Sequence, residues 1–478
     1  MSTIELLDFQ QEATDRLIEQ ALNYYTGTPD RMGGRTVPFI GQLKAVTGAG
    51  KTPILAKVVS AFAPAIVLWT TKFGSVVDQT AFNLGAGGKY HHLLGTGSIE
   101  IIRLGDIASS TEWNRILDRK DGLTILISTV AAWNSSLKDE RLNVHRALYN
   151  GDWGSKSRWE QLKTERSRDL WVVYDEGHNT TTEQVELLDD LDPAGFFVAS
   201  ASPLKGKLLY YLSGLPTPEQ RKQRIVSIST RDVVDAQLLK STISLADYES
   251  ATEEMVAAVV RRREGLEKKL QAYGKSFKPK AIYVVEESKT RPSEIWRILV
   301  NRCHILPQDI AVCTDTRDLP KDAARVASID QLSDQYTHII FNKRLQEGWD
   351  DPSVYVCYFD GKTESATRIQ QVLGRALRQP GATHMSDEDL NTAYFFINCP
   401  NELLEKITDE LKEELRIYKG PEEPDDFEPF KFKLEREIIL PIPLKDEWVG
   451  KLKIPRLSLV LPDNGNRKKD RLQQLVEE

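Results

Sequence analysis

The stretch Ala45–Thr52, which reads Ala-Val-Thr-Gly-Ala-Gly-Lys-Thr, constrains the fold of this chain more than any other. Few sites other than one for a nucleoside triphosphate call for glycine, lysine and threonine in that order. The turn Thr47, Gly48, Ala49, Gly50 is suited to expose consecutive backbone N–H groups to phosphate oxygens. Lys51 adds a point charge at the β/γ-phosphates, and Thr52 offers its hydroxyl to Mg²⁺. Such a turn needs a strand before it and a helix after it. Gly41–Lys44 is a short candidate for the strand, and Ile54–Val59 reads as the helix. Pro53 is tolerated in the first turn, because its missing N–H has no helical partner. Ala45 stands where the general pattern has glycine.

Two regions repeat short β-branched runs between amphipathic stretches, which implies parallel sheets covered by helices, an α/β class. In the first, the candidate strands are Ala65–Trp69, Thr124–Ser128, Leu170–Tyr174 and Gly195–Ala199. In the second they are Lys280–Val285, Asp309–Cys313, His338–Phe341, Val354–Phe359 and Ala393–Asn398. This places a nucleotide-binding domain over 1–205, a linker over 206–245, a second domain over 246–400 and a C-terminal extension over 401–478. Leu245–Tyr273 is expected to be a long charged amphipathic helix. In the extension, Lys419–Asp426 is a polar, proline-containing break, and Phe430–Glu435 alternates at period two, which suggests a small β element.

The totals exclude some classes. At 478 residues, 40% hydrophobic and 28% charged, the chain has the composition of a globular protein with a sizeable core. No apolar run approaches the roughly 18 residues of a membrane span, and no leader pattern opens the sequence, so no membrane partner is expected and the cytoplasm is the expected compartment. Cys303, Cys313, Cys357 and Cys399 are too scattered for a metal knuckle and read as small core residues. His91 and His92 lie in a glycine loop without acidic or cysteine ligands at metal spacing. A net charge of −7 argues against coating nucleic acid by bulk electrostatics, yet leaves room for a locally basic cleft.

A second source of chemistry follows the run Leu170–Tyr174. Asp175, Glu176, Gly177 and His178 put two carboxylates where a buried strand gives way to a loop, the place where sheet enzymes keep catalytic groups. Asp175 is suited to hold Mg²⁺, and Glu176 to orient or deprotonate an attacking water.

With these residues in place the sequence resembles the superfamily 2 helicases, whose second motif is Asp-Glu-x-His. Leu6–Ala13 is similar to the adenine-reading N-terminal motif, with Gln10 at the base-reading position. Ile66–Phe73 and Ile127–Val130 resemble strand ends that the family turns toward nucleic acid, and Ser200, Ala201, Ser202 and Pro203 resemble its coupling motif. Leu345–Asp350 looks like the fifth motif in the Glu-Gly-Trp-Asp form of type III restriction enzyme helicase subunits, and Gln371–Arg378 like the sixth. On a helix, Gln371, Arg375 and Arg378 would share one face.

The resemblance, over about residues 5–400, implies two RecA-like domains with ATP held between them. Lys51, Asp175, Glu176, Arg375 and Arg378 would be catalytic, with Thr52 and Asp175 on Mg²⁺. Gln10, Thr47, Gly48, Ala49, Gly50, Gly348, Asp350 and Gln371 would complete the ATP site. His178, Ser200, Ala201 and Ser202 would couple it to motion, and Thr71, Lys72, Thr129, Lys343 and Arg344 would touch the polynucleotide. DNA, single- or double-stranded, is the expected partner, with RNA as the alternative and a nuclease or methyltransferase as a protein partner. A third class is a nucleotide-gated module that switches such a partner. Two features depart from the family. Gly177 replaces the usual alanine, and no nuclease motif follows the core, since Glu410–Leu415 reads as an ordinary charged helix.

Overall fold

A computed structural model of the protein describes residues 5–436 apart from 28–30, 33–34, 72–73, 108, 134–143, 145–155, 178–179, 202–203, 216, 248–251, 286–289, 315–317, 327–331, 342–350, 361–375, 398–407, 410–411 and 413–429. The chain forms two compact units, Met1–Ala236 with Leu415–Phe427, and Gln237–Glu414 with Glu428–Glu478.

The first unit opens with helix α1 (Asp8–Thr26) and a two-residue ribbon, β1 (Arg31–Met32) and β2 (Arg35–Thr36). Its sheet contains β3 (Phe39–Lys44), β4 (Ala65–Thr71), β5 (Ile99–Arg103), β6 (Leu123–Thr129), β7 (Asp169–Asp175), β8 (Gly195–Ser200) and β9 (Ile225–Ser227). They lie in the order β5-β6-β4-β7-β8-β3-β9, and every pairing is parallel. Helices cover both faces, so a central strand such as β4 is buried along its whole length and reads as a continuous apolar run. Alternate residues serve different layers. Ile66, Leu68, Val172, Phe196 and Val198 meet Val185 and Leu188 of α6 (Thr182–Asp189) and Leu208 of α7 (Gly206–Ser213). On the other face Phe39, Phe62, Trp171 and Phe197 form an aromatic cluster, with Trp171 and Phe197 stacked at 4.9 Å.

Local signals start the helices. Ser109 accepts from the Glu112 N–H ahead of α4 (Ser110–Asp118). Ser157 and Glu160 form a capping box on α5 (Arg158–Thr164), as do Thr181 and Gln184 on α6.

The stretch 206–245, expected to be a linker, is folded structure. It carries α7, α8 (Pro218–Lys222) and α9 (Thr230–Asp235), with β9 hydrogen-bonded to β3 at the edge of the first sheet. The second unit then begins at Gln237. Its sheet comprises β10 (Thr242–Asp247), β11 (Lys280–Val284), β12 (Ile310–Cys313), β13 (Ala324–Arg325), β14 (His338–Phe341), β15 (Val354–Phe359), β16 (Thr392–Ile397) and β17 (Lys431–Arg436). The order is β13-β12-β14-β11-β15-β16-β10-β17, again parallel throughout. The expected helix from Leu245 starts later, at α10 (Thr252–Ala272), because Leu245 is a fully buried strand residue between β16 and β17. Met255, Val256, Val259, Leu266 and Leu270 of α10 pack on Tyr283, Val312, Ile340, Val356 and Phe396. The period-two run at Phe430–Glu435 becomes β17, which completes this sheet rather than forming a separate element. Lys412 sits over the Phe432 ring at 5.3 Å, the packing of a structural lysine; Glu410 lies outside the described residues.

At the N-terminal ends of the first unit's central strands, the buried guanidinium of Arg168 takes the place of a core side chain. It donates to the carbonyls of Ala65, Asp121, Gly122 and Ile116 and to the Thr124 hydroxyl, at 2.9–3.2 Å. Burial pushes its pKa down to about 10. One side chain thereby joins the starts of β4, β6 and β7. Truncation takes a donor from the buried carbonyls of Ala65 and Ile116. Arg168→Ala is therefore expected to destabilise the first unit by about 2–4 kcal/mol in urea unfolding followed by tryptophan fluorescence; a loss below about 0.5 kcal/mol would contradict this role.

Candidate active site

Because β3, β7 and β8 run parallel, their C-terminal ends meet at one edge of the first sheet. The register sets Lys44 beside Ser200, and Asp175 beside Ala199. The glycine turn leaves β3 here and enters α2 (Lys51–Ser60). Ala45 N–H donates to the Ser200 carbonyl at 3.2 Å, so the expected coupling residue touches the start of the loop through its backbone.

Gly50 is the N-cap of α2 at φ +83°, a left-handed conformation that disfavours any side chain. A Cβ there would also come within 2.3 Å of Gln10 Nε2. That amide donates to the Ala49 carbonyl at 2.9 Å, while Gln10 Oε1 accepts from the Leu7 N–H. Gln10, expected to read a base, is thus seated against the phosphate loop and joins α1 to it.

Lys51 Nζ lies 3.2 Å from Glu176 Oε1 and 3.5 Å from the Ala45 carbonyl. Thr52 Oγ1 donates to Asp175 Oδ2 at 3.3 Å. Residues 51–52 and 175–176, read as two separate motifs, are therefore one cluster. A hydroxyl and a carboxylate at this spacing suit Mg²⁺, which takes few protein ligands and keeps several waters. Among the described residues no group of three or more His, Cys, Asp or Glu side chains is arranged to hold a metal.

The electrostatics are those of a functional site. Burial, and then the neighbouring Glu176 carboxylate, raise the Asp175 pKa to about 6. Glu176 sits at φ +63°, a costly backbone conformation for a residue with a side chain. Gly177 has a steric reason, for a Cβ at this position would stand 2.2 Å from Val198 Cγ1 on β8. The glycine lets the loop after β7 close over its neighbouring strand, a demand that no local sequence signal revealed.

Other expected residues separate. Thr71 and Thr129 pair across β4 and β6, and Trp133 Nε1 donates to Ser128 at 2.7 Å beside them. Thr71 is only 1% exposed because β4 continues past Trp69, so it offers no surface to a polynucleotide. Ser200 is fully buried and Ala201 follows in a bend. Lys72, His178, Ser202, Lys343, Arg344, Gly348, Asp350, Gln371 and Arg375 lie outside the described residues. Arg378 lies beyond Ala376, the last helical residue described before it, and forms an antiparallel bridge with Leu239. The glycine loop holding His91 and His92 is a packed 3₁₀ turn with Leu93 and Leu94 buried, and His91 Nδ1 lies 2.8 Å from the Leu84 carbonyl.

A parallel sheet whose first strand feeds a glycine turn, with Lys51, Thr52, Asp175 and Glu176 clustered at its end, defines an α/β domain with a candidate phosphate-binding edge. Residues 3–203 match the family described as Type III restriction enzyme, res subunit. Among solved structures, the chain is similar to a fragment assigned to the HsdR subunit of a type I restriction enzyme from Vibrio vulnificus YJ016, at TM-score 0.47 and 14% identity over 90% of this chain and 68% of that one. It is also similar to the ATP-dependent Type ISP restriction-modification enzyme LlaBIII bound to DNA, at TM-score 0.49 and 14% identity over 91% of this chain. It spans 32% of that enzyme's length. No curated protein matches the sequence.

The raised pKa of Asp175 carries a sign. At this group the folded protein binds the proton more tightly than the unfolded chain, so the contribution of Asp175 to stability is most favourable at low pH and is lost as pH rises from about 4 through about 6. Asp175→Asn keeps an acceptor for Thr52 and removes the ionisation. It is expected to stabilise the free protein at pH 7.5 by about 1–3 kcal/mol and to flatten its pH dependence above pH 4, read by denaturant titration. A destabilised variant at pH 7.5 would contradict this account.

Proposed function

We propose that this protein is an ATP-dependent DNA helicase or translocase motor of a restriction or phage-defence system, working in the cytoplasm. The single observation that carries the reading is the joining of Lys51 to Glu176 and of Thr52 to Asp175 at one strand edge. The helicase-family match over residues 3–203 supports it.

In this reading the glycine turn and Lys51 bind the triphosphate, and Glu176 exchanges its ion pair with Lys51 for a role in orienting the attacking water. Lys51 is released from that carboxylate as it takes up the phosphate charge. Thr52 and Asp175 would hold Mg²⁺, which when bound neutralises charge on the phosphates. Gln10, already bonded to Ala49, would report base identity to the loop, and Ser200 would carry changes there into β8. From the second unit, the reading assigns Gly348, Asp350 and Gln371 to ATP binding and Arg375 and Arg378 to charge stabilisation during transfer. Thr129, Lys72, Lys343 and Arg344 remain the proposed polynucleotide contacts. The HsdR and Type ISP proteins are restriction enzymes, and a nuclease or methyltransferase partner for this chain belongs to the same proposal.

The test is the ATPase rate with single-stranded DNA, duplex DNA, RNA and no polynucleotide. Stimulation by DNA is expected; stimulation by RNA alone would move the protein to RNA, and stimulation by none would sink the motor. Lys51→Ala is expected to lose both nucleotide affinity and turnover. Glu176→Gln should keep ATP and DNA binding while kcat falls by about 10²-fold or more. Unchanged hydrolysis in either variant would refute the site.

A further inference from the structure

Lys240 is fully buried a few residues into the second unit. Lysines are almost never placed so deep unless something inside the protein replaces their water. Here the replacement is backbone. Its Nζ donates to the carbonyls of Arg378 at 2.5 Å, Ala376 at 2.7 Å and Val354 at 3.1 Å, with Pro352 O at 3.5 Å. The ammonium also lies 4.3 Å from the centre of the Tyr355 ring. Ala376 is the last described helical residue before Arg378, and carbonyls at a helix C-terminus lack intrahelical donors and attract positive charge.

The main chain reinforces this grip. Lys240 N–H donates to the Leu377 carbonyl at 2.5 Å, and Gln379 N–H donates to Leu238 at 2.9 Å. Pro352 and Val354 follow Asp350 closely in sequence. Asp351, just before Pro352, is bound by Lys280 Nζ at 2.5 Å, so this stretch is anchored from two sides. One buried Nζ thus joins Pro352 and Val354 to Ala376 and Arg378, and no feature of the sequence required it. An apolar stem would fill the same space without the desolvation cost, but it would take the Nζ donor away from the converging carbonyl oxygens.

We propose that Lys240 is a positioning residue for Arg378, its buried ammonium holding the end of the Gln371–Arg378 segment against the residues that follow Asp350. The proposal rests on the reading of Arg378 as a group that acts on ATP.

Lys240→Met keeps the stem and removes the charge, and if that variant does not fold, Lys240→Gln takes its place. With DNA present, kcat is expected to fall by about tenfold or more with KM for ATP within about twofold, and Lys240→Arg should restore at least part of the loss. In a cycle with Arg378→Ala, the double variant should be little worse than Arg378→Ala alone, because both changes remove the same contribution. A merely structural lysine would give multiplied losses. Hydrogen exchange supplies a readout independent of activity, since amides at 377–379 should lose protection in Lys240→Met while those of the first unit do not. Unchanged exchange at 377–379, or multiplied losses in the cycle, would overturn the proposal. A wild-type protein without ATPase activity would overturn the proposed function instead, and the exchange result would then decide whether Lys240 holds this segment.

Discussion

Parallel pairing is the constraint from which the rest of the first unit follows. Only when β3, β7 and β8 run the same way do the glycine turn, the Ser200 carbonyl and the Asp175–Glu176 pair arrive at one edge. Reversing any one of these strands would carry its functional group to the far side of the sheet. The aromatic layer of Phe39, Phe62, Trp171 and Phe197 on one face, and the aliphatic layer beneath α6 and α7 on the other, hold that alignment by burying both surfaces.

The two ends of the strands have different tasks. At the C-terminal edge the structure tolerates features that cost free energy: a carboxylate titrating near 6 at Asp175 and a left-handed Glu176. At the N-terminal edge it gathers strand starts around Arg168, whose terminal guanidinium nitrogens donate to carbonyls from three different segments. The second unit uses a related device at Lys240, where an ammonium collects the backbone near the start of β15 together with the segment ending at Arg378. In both places a cation bonds to peptide oxygens rather than to a carboxylate. It therefore fixes the path of the main chain and not merely the pose of a side chain.

Much of this was legible in the residues. The central strands announce themselves as β-branched runs, and the glycine turn and the acidic strand end were each readable as local chemistry. The misses share a cause. β5 is a half-buried edge strand, Ile-Glu-Ile-Ile-Arg, whose mixed pattern carries little signal, and β9 is an edge strand recruited by a neighbour distant in sequence. Leu245 fitted a helical period as well as a strand, and only the slot between β16 and β17 decides the matter. Gln10 and Thr71 were placed in the correct segments, yet their surroundings determine what each side chain can reach. Lys240 gave no signal at all, because a lone lysine before a strand ordinarily faces water.

By itself the sequence determined the parallel α/β class, the glycine turn and the identity of the two carboxylates, since these depend on patterns within a few residues. Tertiary structure decided that Lys51 meets Glu176 and Thr52 meets Asp175, that glycine at 177 clears Val198, and that Arg378 pairs with Leu239. Each of these joins residues far apart along the chain. Their distances are set by strand order and by which groups are forced to share a buried volume, and neither quantity is encoded in any one segment.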